Sequence, residues 1–309
     1  MRDISGKIST LRTARAQAVL KASAHTIKML RDGEIPKGDP LPVAKVAAVQ
    51  AAKNTSSIIP YCHPLPVDYV GVEFDVQETA IVTRVEVKAI YKTGVEMEAL
   101  AAASVAALTL YDMMKMLDED MAIEGVRLVE KRGGKSDFRD AAGAGAQLKA
   151  AVLVMSDSIA AGKKQDSSGK LICERLKLEG IDVVDYKIVP DEETTIESTL
   201  TDYADQQKLD LVVTTGGTGL SPRDRTPEAV SRLFDRHVPG IAEAARAYGQ
   251  ERTPYAMLSR SQAGLRGKTL IITMPGSKNG AAESLDALFP AVLHAFNMMK
   301  AGGHHDCQS

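Results

Sequence analysis

The feature that most constrains this chain is a break near its midpoint. Residues 133–147 read GGKSDFRDAAGAGAQ, a glycine- and alanine-rich run without a periodic apolar face. Such a run has no stripe to bury, so it reads as the end of one domain followed by a flexible linker. The chain has 309 residues, and domains of roughly 150 residues are the usual size. Two units follow, each large enough to bury a core without disulfides or a structural metal. Their boundaries read as 1–138, a linker over 139–148, and 149–309.

The rhythm of the sequence differs on the two sides. Before the break, Thr10 to Arg31 carries Val19, Ile27 and Leu30 at helical spacing, and Pro42 to Lys53 is a second, alanine-rich helix. Tyr69 to Val76 and Ile81 to Ile90 alternate β-branched with polar residues, as half-buried antiparallel strands do. Glu96 to Leu117 is a long helix, and Val126 to Glu130 a last strand. Hairpin strands among helices predict an α+β, ferredoxin-like N-terminal domain. After the break, apolar strands at Ala151–Met155, Val183–Val189, Leu209–Val213 and Thr269–Thr273 each lead through a polar loop into a helix. That repeat predicts an α/β three-layer domain with a mostly parallel sheet. Ligands of such sheets sit at the carboxyl ends of the strands. Four loops should therefore share one rim: Ser156-Asp157-Ser158, Pro190-Asp191-Glu192, Gly216-Gly217-Thr218-Gly219 and Pro275-Gly276-Ser277.

Composition narrows the partners. The formal net charge is -2, so no overall field favours nucleic acid or an anionic membrane. An anionic substrate has to be held by local lysines, arginines or backbone N–H groups. Three cysteines, Cys62, Cys173 and Cys307, are too few and odd in number for a disulfide framework and suit a reducing compartment. The first residues lack the apolar core of a signal peptide. The apolar run Ala99 to Leu110 is shorter than the roughly 20 residues that span a bilayer. The expectation is a cytoplasmic protein acting on small molecules.

In the second half, glycines at 216, 217 and 219 let the backbone approach a ligand and form a nest of N–H groups for phosphate, with a helix N-terminus just beyond. Asp191 and Asp224 reach the same rim from different loops, and two carboxylates beside phosphates suit Mg²⁺. Arg223 and Arg225 flank Asp224 and can clamp anionic oxygens. Plainer readings stand beside these: a glycine turn that is only a turn, and Asp191 and Asp224 as helix caps.

Val154-Met155-Ser156-Asp157-Ser158, Thr214 to Gly219, Pro222 to Ala229, Pro239-Gly240, Leu258-Ser259-Arg260 and Met274 to Ser277 together resemble the molybdopterin-binding domain family of MogA/MoaB type. The resemblance implies adenylylation of molybdopterin by Mg²⁺ and ATP, with release of pyrophosphate and no covalently bound cofactor. Asp191 and Asp224 would serve magnesium and catalysis. Ser156, Asp157, Gly216, Gly217, Thr218 and Gly219 would bind substrate, and Pro275, Gly276 and Ser277 would lie on the pterin side. The family also contains members that bind molybdopterin without adenylylating it.

In the first half, Asp112 and Lys115 are spaced i, i+3 on the long helix with Val105 and Leu108 on the same face. An acid and an amine held against apolar neighbours can act as an acid–base pair; a solvated ion pair is the plainer reading. Lys53 ends a helix and Lys135 lies in a glycine-rich loop, where either can meet a triphosphate or simply face solvent. Cys62-His63-Pro64 is too sparse for zinc; His63 is a hydrogen-bond donor to substrate or a structural residue.

Lys37-Gly38-Asp39, Ala51 to Thr55, Ile59 to Leu65, Thr93 to Leu100, Tyr111 to Lys115 and Gly133 to Ser136 resemble the cyclic pyranopterin monophosphate synthases of MoaC type. The resemblance implies conversion of a cyclised dihydroguanosine triphosphate, made from GTP, into a pyranopterin cyclic phosphate plus pyrophosphate. Asp112 and Lys115 would be the acid–base pair. Lys53, His63 and Lys135 would hold phosphate or developing charge, Glu96 and Glu98 would contact the purine-derived ring or orient the lysines, and Cys62 and Met97 would also bind substrate. Both resemblances imply homo-oligomers with threefold symmetry, a hexamer or a trimer. The two reactions are not consecutive, so no direct channel between the sites is expected.

Overall fold

The computed structural model describes residues 1–134, 137 and 148–301. The chain separates into two compact units, Met1–Asp137 and Phe138–Ser309.

The first unit runs β1 (Thr10–Lys21), α1 (Ala24–Asp32), α2 (Pro40–Lys53), α3 (Thr55–Ile58), β2 (Tyr69–Val76), β3 (Ala80–Tyr91), α4 (Glu96–Met114) and β4 (Ala122–Arg132). Its sheet has the order β2-β3-β1-β4 and is antiparallel, the ferredoxin-like arrangement. One sequence expectation is corrected here. Thr10–Lys21 is not helical: it is an inner strand paired with β3 on one side and β4 on the other. Its buried residues Ala14, Ala16, Ala18 and Leu20 follow a period of two. Alanine favours helix locally, but two flanking ladders outweigh that preference, and Val19 then falls on the opposite face from Leu20. The helix of this region is only α1, opened by Ser23, whose Oγ accepts from Thr26 N at 3.2 Å. The α2 and α4 helices bury Ala44, Ala48, Ala99, Ala102, Ala103 and Ala106, small residues that permit close backbone approach. Leu110 and Met114 at the end of α4 are fully buried and each contribute about 1.5–3 kcal/mol. Among the described helices α4 alone is long and apolar enough to cross a membrane, and half of that stretch is buried inside the unit.

The second unit runs β5 (Lys149–Met155), α5 (Asp157–Ala160), α6 (Ser168–Leu178), β6 (Asp182–Val189), α7 (Glu193–Thr201), β7 (Leu211–Thr215), α8 (Thr226–Ser231), β8 (Arg236–His237), α9 (Pro239–Gln250), β9 (Ala263–Arg266), β10 (Thr269–Met274), α10 (Lys278–Leu288) and α11 (His294–Ala301). The sheet order is β6-β5-β7-β10-β9-β8. The first four strands are parallel; β9 runs antiparallel to β10, and β8 antiparallel to β9. Strand residues alternate between two cores. Val152, Val213 and Ile272 pack with Ile172, Leu285 and Phe296 on one face; Leu153, Val212 and Ile271 pack with Ile196, Leu200 and Val230 on the other. These are the expected three layers. Strands β8 and β9 escaped the sequence reading because two and four residues are too short for a period to register.

Candidate active sites

In the second unit all four predicted loops meet at the carboxyl ends of β5, β6, β7 and β10. Asp191 N donates to Asp157 Oδ1 at 3.1 Å, and Gly216 N donates to Met274 O at 3.2 Å. The Gly216 amide is therefore engaged, which narrows the expected nest to the amides from Gly217 onward. Gly217 sits at φ +60°, and a Cβ there would overlap Thr226 Oγ1 and lie 2.6 and 2.8 Å from the two Asp191 carboxylate oxygens. Only glycine allows these groups to converge. A Cβ at Gly219 would similarly lie 2.8 Å from Asp224 Oδ2.

The helix-cap reading of Asp191 does not hold. Helix α7 is preceded by Glu192, without a side-chain cap. Asp191 Oδ1 is instead buried without a hydrogen-bond partner, as is Thr226 Oγ1. Burial pushes the Asp191 carboxyl above the ordinary carboxylate range; the backbone amide of Arg225 opposes this, while the nearby charges of Asp224 and Asp157 add to it. Such a carboxylate keeps one oxygen without a hydrogen-bond donor. Asp224 does not cap α8 either: its Oδ2 accepts from Ser221 N at 2.9 Å and closes its own loop. Asp157 pairs with Arg223, whose Nη2 lies 2.5 Å from Oδ2. Ser156 Oγ lies 3.2 Å from Ser158 Oγ.

Ser277 and Pro275 line a neighbouring cavity of about 470 Å³, together with Arg246, Arg252, Tyr255, Ser259 and Ser261. Asp191 and Asp224 are not in its lining, so the rim holds two stations rather than one pocket. They adjoin where Gly276 packs on Gly216: a Cβ on Gly276 would come within 3.1 Å of Gly216 Cα. Ser277 also caps α10, accepting from Gly280 N at 3.2 Å. Sequence reasoning left Arg260 without a role. It fastens the glycine loop from behind, donating from N to Thr218 O at 2.9 Å and from Nε to Gly219 O at 2.8 Å. Its Nη1 is 2.5 Å from Glu228 Oε1 and its Nη2 2.5 Å from Asp224 O. The only sequence signal was its place in the Leu258-Ser259-Arg260 motif.

In the first unit the predicted residues fall into two groups. Asp112 and Lys115 pair at 2.8 Å, and Lys37 Nζ completes a clamp, 3.0 Å from Asp112 Oδ2 and 2.9 Å from Asp112 O. The expectation of apolar shelter is corrected: the side chains of Asp112 and Lys115 are 57% and 54% exposed, and Leu108 is exposed as well. The Lys115 and then the Lys37 ammonium pull the Asp112 carboxyl down to about 2, while Asp112 raises Lys115. Lys37 was missed because spacing shows only partners on the same helix. Lys53 is exposed and makes no ion pair among the described residues. Lys135 lies outside the described residues.

The other group gathers at the opposite end of α4. A cavity of about 490 Å³ is lined by Arg2, Lys7, Arg12, Lys131 and Arg132 beside Glu96 and Asp137. His63 Nε2 lies 2.8 Å from Arg2 O. Glu98 is buried, and burial raises its carboxyl, with Glu96 adding to the effect. Burial also raises the Cys62 thiol, helped by the Glu98 charge, which keeps it a poor nucleophile. Met97 is partly exposed between the two glutamates.

Residues 1–134 match the model of the MoaC family, and residues 151–294 that of the probable molybdopterin binding domain. Over 98% of its length the chain is 43% identical to a molybdenum cofactor biosynthesis bifunctional protein of Chlorobaculum tepidum, covering 96% of that protein. It is 39% identical to the protein of the same name from Synechococcus elongatus, covering 98% of each. The first 44% or so resembles the cyclic pyranopterin monophosphate synthase of Syntrophomonas wolfei, at 50% identity over 88% of that chain. Among solved structures, the MoaB enzyme of Thermus thermophilus is 47% identical, with 49% of this chain and 95% of that one covered and a TM-score of 0.47.

Proposed function

The chain belongs to the family of bifunctional molybdenum cofactor biosynthesis proteins, and from that premise we propose that it carries two enzymatic activities on small anionic pterins. The N-terminal unit converts a cyclised dihydroguanosine triphosphate to cyclic pyranopterin monophosphate and pyrophosphate. The observation that supports this is the Lys37–Asp112–Lys115 clamp. It holds an acid and two amines together and ionised, ready to move protons once substrate replaces water. The basic cavity at Arg2, Lys7, Arg12, Lys131 and Arg132 suits a triphosphate, with the charge-assisted bonds arginine favours. Glu96 and Asp112 are sixteen residues apart on α4, about 24 Å at 1.5 Å per residue. A general acid or base acts within about 3 Å of the proton it moves. Cavity and clamp of one copy are therefore too distant to serve one reacting centre, and the clamp faces the cavity of a second copy. The working protein is then a homo-oligomer, of threefold symmetry in the family's manner, in the cytoplasm, with no role for nucleic acid or membrane. Mixing inactive Asp112→Asn and Arg12→Ala proteins should restore cyclic pyranopterin formation; a mixture as inactive as its parts refutes the shared site.

The C-terminal unit adenylylates molybdopterin with Mg²⁺ and ATP. The residues fit the ion: Asp191 presents a buried, unpartnered carboxylate oxygen with Asp224 and Asp157 adding negative charge. Among the described residues no three His, Cys, Asp or Glu side chains are grouped to hold a metal by themselves; Mg²⁺ takes one or two carboxylates with waters and phosphate oxygens. Mg²⁺ when bound supplies charge neutralisation at the phosphates. The amides beyond Gly216 and the guanidinium of Arg223 orient them, and the cavity at Arg246, Arg252, Tyr255 and Ser277 receives the pterin. Incubation with Mg²⁺-ATP and molybdopterin should release pyrophosphate and yield the adenylylated pterin. Pterin binding without pyrophosphate identifies a carrier module instead.

A further inference from the structure

The arginines of the C-terminal rim are not held alike. Arg225 is bound to Glu193 at 2.5 Å. Arg260 is fixed by Glu228 and three main-chain groups of the loop it fastens. Arg223 has for its partner a carboxylate of the site itself: Nη2 and Nε lie 2.5 and 3.2 Å from Asp157 Oδ2. The other oxygen of Asp157 accepts the Asp191 amide. Arg223 also adjoins Asp224 in the chain, and its charge acts on Asp191. Its side chain is 68% exposed, and among the described residues the Asp157 carboxylate is its ion-pair partner. Thr226, with no exposed surface, points an unpartnered hydroxyl at the same spot beside Gly217 as the Asp191 oxygens. The site therefore has one carboxylate oxygen, Asp191 Oδ1, and one hydroxyl, Thr226 Oγ1, still short of a partner, with the exposed Arg223 cation beside them.

We propose that Arg223 is a resident counter-cation of Asp157, on the rim it shares with Asp191 and Asp224, that is exchanged on ligand binding. In the free chain its guanidinium neutralises Asp157. When a divalent cation enters with a nucleotide phosphate, the ion takes over that neutralisation and the guanidinium turns to the phosphate, where its two-pronged geometry is worth more than a point charge. The arginine thus competes with the bare metal and cooperates with the metal–phosphate pair. A bare ion is held weakly, and the site fills as a metal–nucleotide unit. This inference rests on reading the rim as a cation–phosphate site.

The test is binding rather than turnover, on the full chain. Free Mn²⁺ is counted by electron paramagnetic resonance, and Mg²⁺-ATP binding is measured by calorimetry, for the unaltered chain, Arg223→Gln, Arg223→Lys and Asp191→Asn. The Mn²⁺ lost in Asp191→Asn marks the site. For that site, Arg223→Gln should bind Mn²⁺ alone about two- to fivefold more tightly, the span of an exposed ion pair removed, and Mg²⁺-ATP about tenfold more weakly. Arg223→Lys keeps the charge, so Mn²⁺ affinity should stay near that of the unaltered chain while nucleotide affinity falls. Unchanged or weaker Mn²⁺ binding in Arg223→Gln, in a chain whose circular dichroism is unaltered, overturns the exchange and leaves the site standing. Absence of any Asp191-dependent Mn²⁺ overturns the site and the exchange together.

Discussion

Alanine at position 217 separates ligand geometry from fold. At φ +60° an L-residue costs about 1–2 kcal/mol relative to glycine. The new methyl would overlap Thr226 Oγ1 and press on both Asp191 oxygens, at 2.6 and 2.8 Å. Those atoms end side chains, so they can yield: the backbone survives and the carboxylate is driven out of position. Stability should fall by about 1–3 kcal/mol, lowering the thermal midpoint by about 2–4 °C per kcal/mol for a unit of this size. Asp191-dependent Mn²⁺ affinity should drop at least about tenfold, or ~1.4 kcal/mol. Gly216→Ala is the contrast. There φ is +107° and the methyl would overlap the main-chain carbonyl oxygen of Met155 in β5. That atom cannot move without disturbing the strand ladder, so the loss should be about 3 kcal/mol or more and fall on folding itself. Differential scanning calorimetry and Mn²⁺ titration of both variants read the two effects. A folded Gly217→Ala chain that binds Mn²⁺ and ATP as tightly as the unaltered chain would refute the placement of Asp191 in the site.

Two further outcomes follow from charge. Asp191, raised by burial, binds more protons folded than unfolded as pH passes from 3.8 upward, so its contribution to stability falls with rising pH. Asp191→Asn should therefore raise the thermal midpoint at neutral pH, by the equivalent of about 0.5–2 kcal/mol, while abolishing metal binding; a lowered midpoint contradicts the orphaned carboxylate. Asp112 behaves oppositely. Its carboxyl is lowered to about 2, so the stability it lends is complete above the unfolded value near 3.8 and is lost as pH falls through 2. A carbon-detected NMR titration of Asp112 with a midpoint at or above 3.8 would dissolve the Lys37–Asp112–Lys115 clamp.

Much of the architecture was legible because it is periodic. The strand–loop–helix repeats of the second half and the hairpin of β2 and β3 follow from apolar spacing, and the rim loops from the rule that parallel strands point their carboxyl ends one way. Thr10–Lys21 was misread because an alanine-rich segment satisfies both periods, and only the flanking strands choose between them. The helical pair Asp112 and Lys115 could be found from i, i+3 spacing, but its exposure could not.

By itself, then, the sequence determined two units, their fold classes, the residues of the glycine loop and the acidic side chains around it. Only the tertiary structure decided which of those groups want a partner. Asp191 Oδ1 and Thr226 Oγ1 were left without partners by the packing of β6, β7 and α8. Lys37 was brought to Asp112, and Arg260 behind the glycine loop, across separations no spacing encodes. Local order is written in neighbouring residues. A buried atom without a partner is a property of the space between distant ones, and it exists only once the chain has closed around it.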